Sequence, residues 1–227
     1  MVKRLFDIMA SSLALIFFGP IILLAAIGVR LSSRGPAFYC ARRAGVNGEP
    51  FTLYKLRTMK MDQGTNVSAV TGAADPRVFA FGSLLRKTKL DELPQLWNIL
   101  RGDMSVVGPR PEDLNIVQKH YSQMAMATLA VRPGLSGVSS LYNYTHGEKM
   151  LTGENPEQVY VERLLPIKMA LETIYIRNAS LLYDFKIILR TVVVIGRIAS
   201  GQTEFPDPPE MDAAGEVMRT AECKLAA

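Results

Sequence analysis

Asp91 and Glu92 are adjacent carboxylates in a basic neighbourhood, with Arg86, Lys87 and Lys89 just before them and Arg110 further on. Such a pair can ligate a divalent cation, accept a proton or attack an electrophilic phosphorus, although most Asp-Glu pairs are solvated charges or helix N-caps. The basic neighbours favour chemistry on an anion. Arg110 stands between two prolines in Gly108-Pro109-Arg110-Pro111, where a restricted backbone would hold a planar guanidinium toward phosphate oxygens; a plain tight turn is the alternative. Lys55 and Arg57 share the period-two face of a strand-like run with Phe51 and Leu53, so that face passes from apolar to basic as a strand leading from core to anion site would. Ordinary solvated charges would give the same pattern.

Several elements must position these groups. Leu93, Leu96, Trp97 and Leu100 fall at i, i+3, i+4 and i+7, predicting a helix from near Pro94 that buries this stripe and starts at Asp91 and Glu92. Its positive end, with Arg86, would keep Asp91 ionised. A small sheet is expected near Ala37 to Met59, and a surface loop from Met61 to Asp75. Val78 to Leu90 is basic and amphipathic, suited to an anionic membrane surface or to a solvated face. Pro156 to Ile176 reads as a helix. Leu181 to Ile198 is strongly apolar but carries Asp184, Lys186, Arg190 and Arg197, which predicts an in-plane or packed helix rather than a span. Beyond Ser200 a mobile tail is expected.

From Leu5 to Val29 the chain is almost continuously apolar, about the length of a bilayer-spanning helix. Basic residues flank both ends, Lys3 and Arg4 before, Arg30 and Arg34 after, which opposes placing either end outside. Pro20 lacks an N–H and predicts a kink near the middle. The preferred expectation is a re-entrant membrane helix-hairpin with both flanks cytoplasmic, against a tilted span with a tolerated proline. The 227 residues suit one catalytic domain, and a net charge of +5 suits an anionic partner. Two cysteines, Cys40 and Cys223, exclude a disulfide framework, and His120 and His146 are too few for a histidine metal site. The fold class expected is α+β, mostly helical, with a small β element and amphipathic in-plane helices. The divisions are 1–34 for the anchor, 35–200 for the catalytic domain and 201–227 for the tail.

The stretch from Arg86 to Pro111, RKTKLDELPQLWNILRGDMSVVGPRP, resembles the signature of the monotopic phosphoglycosyl transferases, bacterial sugar transferases that start glycoconjugate assembly. Lys55 to Met59, Val131 to Gly137 and the N-terminal apolar segment resemble other motifs of that family, so the likeness covers most of Met1 to Ser200. The resemblance implies a donor that is a nucleoside diphosphate sugar, usually a uridine one, and a polyprenyl phosphate acceptor. It implies Asp91 as the nucleophile of a two-step displacement releasing the nucleoside monophosphate, and Glu92 beside it as magnesium ligand or proton acceptor. Mg2+ is the implied cofactor, with Asp91 and Glu92 as its ligands and Lys55, Arg57, Arg86 and Arg110 as phosphate-binding candidates. Membrane lipid is an implied partner, at the cytoplasmic face of the bacterial inner membrane; a homodimer is left open.

Two features depart from the family pattern. Gly19 precedes Pro20 where many members carry serine, and Val138 to His146 replaces an aromatic, Ala-Gln-Val-Asn-Gly-Arg-like run, leaving the sugar unassigned. Direct transfer in a ternary complex, or a non-catalytic membrane-surface adaptor, would use the same residues differently. Nucleic acid is not expected as a partner, because the basic residues lie among apolar faces and not among stacking aromatics.

Overall fold

The computed structural model describes residues 1–61, 75–151 and 155–225. Most of the loop expected from Met61 to Asp75 lies outside the described residues. The architecture is a mostly helical α+β fold with two small two-stranded sheets, as the sequence predicts in class.

The N-terminal helix α1, Val2–Ser32, holds Pro20 within it and continues helical past that residue. Its polar first turns are committed to protein contacts. Lys3 pairs with Asp184, and Arg4 donates to the carbonyls of Ile99 and Leu100 at 2.5 and 2.8 Å. Asp7, buried, accepts from Ser105 Oγ and the Val106 N–H, both at 2.9 Å. Near the other end Ala25, Ala26 and Val29 pack with Leu56, Phe79 and Leu85. Between these two docked ends Leu13, Ile16 and Phe17 are exposed.

Strands β1, Phe38–Ala44, and β2, Pro50–Leu56, form an antiparallel hairpin where the small sheet is expected, with Tyr39 opposite Lys55. Asn47 and Gly48 take positive φ at its turn, a geometry that Gly and Asn tolerate best. Helix α2, Ala80–Thr88, leads through Lys89 to α3, Gln95–Arg101. The buried stripe of α3 differs from expectation: Trp97 is 53% exposed while Asn98 is fully buried. Asn98 turns inward because its amide completes the edge of β2, donating to Thr52 O at 2.7 Å and accepting from the Tyr54 N–H at 3.1 Å. A buried backbone edge needs such partners, and that requirement overrides the apolar period.

Strands β3, Ser105–Val107, and β4, Gly134–Ser136, pair in parallel, a second sheet the sequence did not announce. At its end Gly108 and Gly134 approach so closely that a Cβ on Gly134 would lie 2.1 Å from Gly108 N. Only glycine fits. Short helices α4, Leu114–His120, α5, Gln123–Ala127, and α6, Val138–Tyr142, follow. A π-helical turn, Asn143–Gly147, then leads into α7, Glu148–Met150.

The helix expected over Pro156 to Ile176 is composite: α8, Pro156–Val159, a π-helical turn, Tyr160–Leu164, then α9, Leu165–Asn178. Pro166 explains the widening, since it cannot donate to the carbonyl of Glu162. Helix α9 is the centre of the main core, and α10, Leu181–Ala199, lies against β3, β4 and α2 with Leu182, Phe185, Leu189 and Val192 exposed. Phe185 meets Phe6 of α1 edge-on at 5.1 Å, so the two apolar faces adjoin. The tail expected to be mobile instead carries α11, Met211–Leu225, whose Ala214 and Val217 are buried in the α9 core. Small residues at helical spacing made that packing feasible without an aromatic anchor.

Candidate active site

Lys89 closes α2 in the left-handed conformation, φ 55° and ψ 18°, which costs a non-glycine residue about 1 kcal/mol. The chain reverses there and enters a 3-10 turn, Leu90–Glu92, before α3 begins. That sharp break turns both Asp91 and Glu92 inward, where both are buried.

Oδ2 of Asp91 lies 3.5 Å from the Lys55 ammonium on β2, and Oδ1 is buried without a hydrogen-bond partner. Burial raises the Asp91 carboxyl above the usual range, opposed by Lys55 and, more weakly, by Lys89 and Arg86. This corrects the expectation that Arg86 and the helix start would suffice to favour the ionised form, because the side chain is almost wholly withdrawn from water. Glu92 has the opposite fate. Burial would raise it too, but Arg110, Lys89 and Lys55, with the Tyr144 hydroxyl, hold it down at about 2. Arg110 Nη2 reaches Glu92 Oε1 at 3.3 Å, and Tyr144 donates to Oε2 at 2.8 Å.

Arg110 is fixed from behind. Its neighbours Pro109 and Pro111 lack N–H groups, so its own is the sole backbone donor of the three, and it donates to Glu172 Oε1 at 3.0 Å. Lys168, Glu172 and Tyr175, spaced along one face of α9, grip Glu112, the Arg110 N–H and Val107 O in turn. Ser139 also donates to Glu172 Oε1, at 2.7 Å, while Oε2 has no partner.

A cavity of about 540 Å³ opens at Glu92, lined by Lys55, Arg57, Lys60, Arg77, Arg86, Arg110 and Lys168 among others. Lys55, Arg86 and Arg110 thus share the cavity wall with Glu92, while Asp91 is reached through Lys55, outside that wall. Arg57 borders the cavity but is otherwise engaged, donating to Pro36 O, Ser33 Oγ, Ser33 O and Met59 O at 2.7 to 3.0 Å. It secures the end of α1. Sequence reasoning missed Tyr144, Lys89 and Glu148: the Lys89 ammonium stands 3.8 Å over the Tyr144 ring and bonds Glu148 at 3.2 Å. Lys89 lay in the basic run already noted; Tyr144 and Glu148 carry no local signal at all.

Among the described residues no group of three or more His, Cys, Asp or Glu could cage a metal ion. Mg2+ needs less, using one or two carboxylates together with waters and substrate phosphates. The unpartnered Asp91 Oδ1 offers one such oxygen, whereas both Glu92 oxygens are held, by Arg110 and Tyr144.

Glu92 in a cavity lined by cations, Asp91 buried beside Lys55, and a long, apolar, largely exposed helix on the same body suit a membrane-associated protein that binds anions. The family described as bacterial sugar transferase matches residues 1–197, and the chain belongs to that family. It is a phosphoglycosyl transferase. It is 38% identical over 193 residues, 84% of this chain and 68% of the relative, to a UDP-glucose:undecaprenyl-phosphate glucose-1-phosphate transferase of Caulobacter vibrioides. The exopolysaccharide production protein ExoY of Rhizobium meliloti is 37% identical over 214 residues, covering 86% of this chain and 85% of that one. A UDP-N-acetylgalactosamine-undecaprenyl-phosphate N-acetylgalactosaminephosphotransferase of Aeromonas hydrophila is 37% identical over 138 residues, 60% of this chain and 33% of the relative. The first and the third of these relatives are named for different sugars, and the second for none.

Proposed function

We propose that this enzyme takes a sugar 1-phosphate from a uridine diphosphate sugar and transfers it to undecaprenyl phosphate at the cytoplasmic face of the inner membrane, through a covalent intermediate on Asp91. The carboxylate attacks the sugar-bearing phosphorus, the bond from that phosphorus to the bridging oxygen breaks, and UMP leaves with the oxygen. An oxygen of the lipid phosphate then attacks the same phosphorus and expels Asp91, giving the lipid diphosphate sugar. Splitting the displacement lets one cationic site serve two anions in succession.

The observation that carries this reading is the buried, half-unpartnered Asp91 beside Lys55 and the Glu92–Arg110 pair. Lys55 and Arg86 line the cavity where diphosphate oxygens would sit, and Arg110 keeps Glu92 ionised while exposing part of its guanidinium to the same space. Asp91 and Glu92 would hold Mg2+, which when bound supplies positive charge that offsets the burial of Asp91 and the charge on the phosphates. Membrane placement is supported by α1, whose two ends dock on one body: Asp7 on β3, Val29 on β2 and α2. A helix crossing the bilayer would part those contacts. The exposed apolar faces of α1 and α10 adjoin, as a surface resting in lipid requires.

The test is to incubate the full chain with a UDP sugar labelled in the sugar-bearing phosphate, without acceptor, and to digest and weigh the peptides. A phosphosugar on the peptide holding Asp91, with matching UMP release, is expected. Its absence, with transfer still occurring when acceptor is added, would mean direct transfer in a ternary complex.

A further inference from the structure

The matched family region stops at residue 197, yet the chain continues into contacts with the turn that carries Tyr144. Glu210 anchors the continuation, accepting from Tyr183 at 2.7 Å and from Arg190 at 2.6 and 3.1 Å, and α11 packs behind it on α9. Between Ser200 and Glu210 the segment carries Pro206, Pro208 and Pro209, which stiffen it. It passes over the turn Asn143 to Met150. Lys149 donates to Thr203 O, and His146 Nε2 lies 3.5 Å from Asp207 Oδ1.

That turn has two faces. Tyr144 and Glu148, four residues apart, point inward to Glu92 and Lys89. Lys149 is exposed on the other face, and His146, partly buried, holds Thr145 Oγ1 at 2.7 Å through Nδ1 and turns Nε2 toward Asp207. His146 also stacks on Tyr142 with centroids 4.9 Å apart, so a force on the imidazole is passed to the buried end of the turn. The turn is π-helical, a rare conformation that is frequent at functional sites. It is the same stretch that departs from the family pattern.

We propose that residues 200–210 are a strap that positions Tyr144 against Glu92 by holding the outer face of the 143–150 turn. This rests on the transferase reading above and assigns to the C-terminal extension a part in that reaction. The contacts are individually weak, since Asp207 is exposed and such pairs contribute little to stability. Their effect is on geometry, where a displacement of about 1 Å costs up to about a hundredfold in rate.

The experiment replaces Gln202 to Pro208 with a Gly/Ser run of equal length in the full chain, keeping Glu210 and α11. Turnover, donor KM and melting temperature are measured in the wild-type and Tyr144→Phe backgrounds. We expect kcat to fall about tenfold with melting temperature and KM nearly unchanged, and the loss to vanish in the Tyr144→Phe background. Unchanged turnover overturns the strap, and so does an equal loss in both backgrounds. If the replacement does not fold, the double substitution Lys149→Ala with Asp207→Ala reads the same comparison. The covalent reading fails separately, by turnover without a phosphosugar on Asp91, and the comparison of the two backgrounds decides the strap whichever route turnover takes.

Discussion

The Lys55 ammonium stands 3.5 Å from Oδ2 of Asp91, and it is the strongest of the charges opposing the burial of that carboxyl. Strand β2 delivers the lysine and a 3-10 turn delivers the aspartate, so the pair depends on the docking of β2 against α3 by Asn98.

Lys55→Met should lower kcat about a hundredfold, because Asp91 then faces its burial with only the more distant Lys89 and Arg86 in support. Donor KM should rise less than kcat falls. Steady-state UMP release over a donor titration checks this, and a pure KM effect would reassign Lys55 to ground-state binding.

Arg57→Lys should cost about 2 kcal/mol of stability while leaving donor KM within about twofold, since lysine cannot satisfy four acceptors at the end of α1. Thermal unfolding in detergent and donor titration measure the two effects separately. A large KM increase at unchanged stability would restore Arg57 as a phosphate ligand.

Glu172 makes stability depend on pH. Burial, only partly opposed by Lys168, Ser139 and the Arg110 N–H, raises its carboxyl from 4.5 to about 7. The folded state therefore holds the proton more tightly than the unfolded chain. Its contribution is complete below about 4.5 and is lost as the pH rises through about 7, a change of about 3 kcal/mol. Glu92 and Glu112, held at about 2, act below this window. Glu172→Gln should keep the Oε1 acceptor and remove the slope, as urea midpoints at pH 5 and pH 8 would show; a wild type no less stable than the variant at pH 8, relative to pH 5, would contradict it.

Both ends of α1 should lie on one side of the membrane. Single cysteines at Val2 and Leu31, with Cys40 and Cys223 replaced by serine, should both resist a membrane-impermeant maleimide in intact cells and both react after lysis. Labelling of one end alone in intact cells would establish a span.

The sequence by itself determined whatever depends on neighbours along the chain. Near-continuous apolarity marks α1, the alternation through Phe51, Leu53, Lys55 and Arg57 marks β2, and the basic run with Asp91, Glu92 and the prolines around Arg110 marks the chemistry. Each of these acts through backbone restriction or local charge, which short spacing expresses directly.

Tertiary structure alone decided how those pieces meet. Arg57 shares a strand face with Lys55, yet its guanidinium closes the end of α1 because unpaired carbonyls there needed donors. Trp97 belongs to the apolar period of α3, yet Asn98 is the residue taken inside, because the edge of β2 lay opposite. Tyr144 reaches Glu92 from 52 positions along the chain, and Asp207 reaches back to His146. Partners at such separations share no period or motif; they are chosen by what burial leaves unpaired, and only the folded chain shows which groups those are.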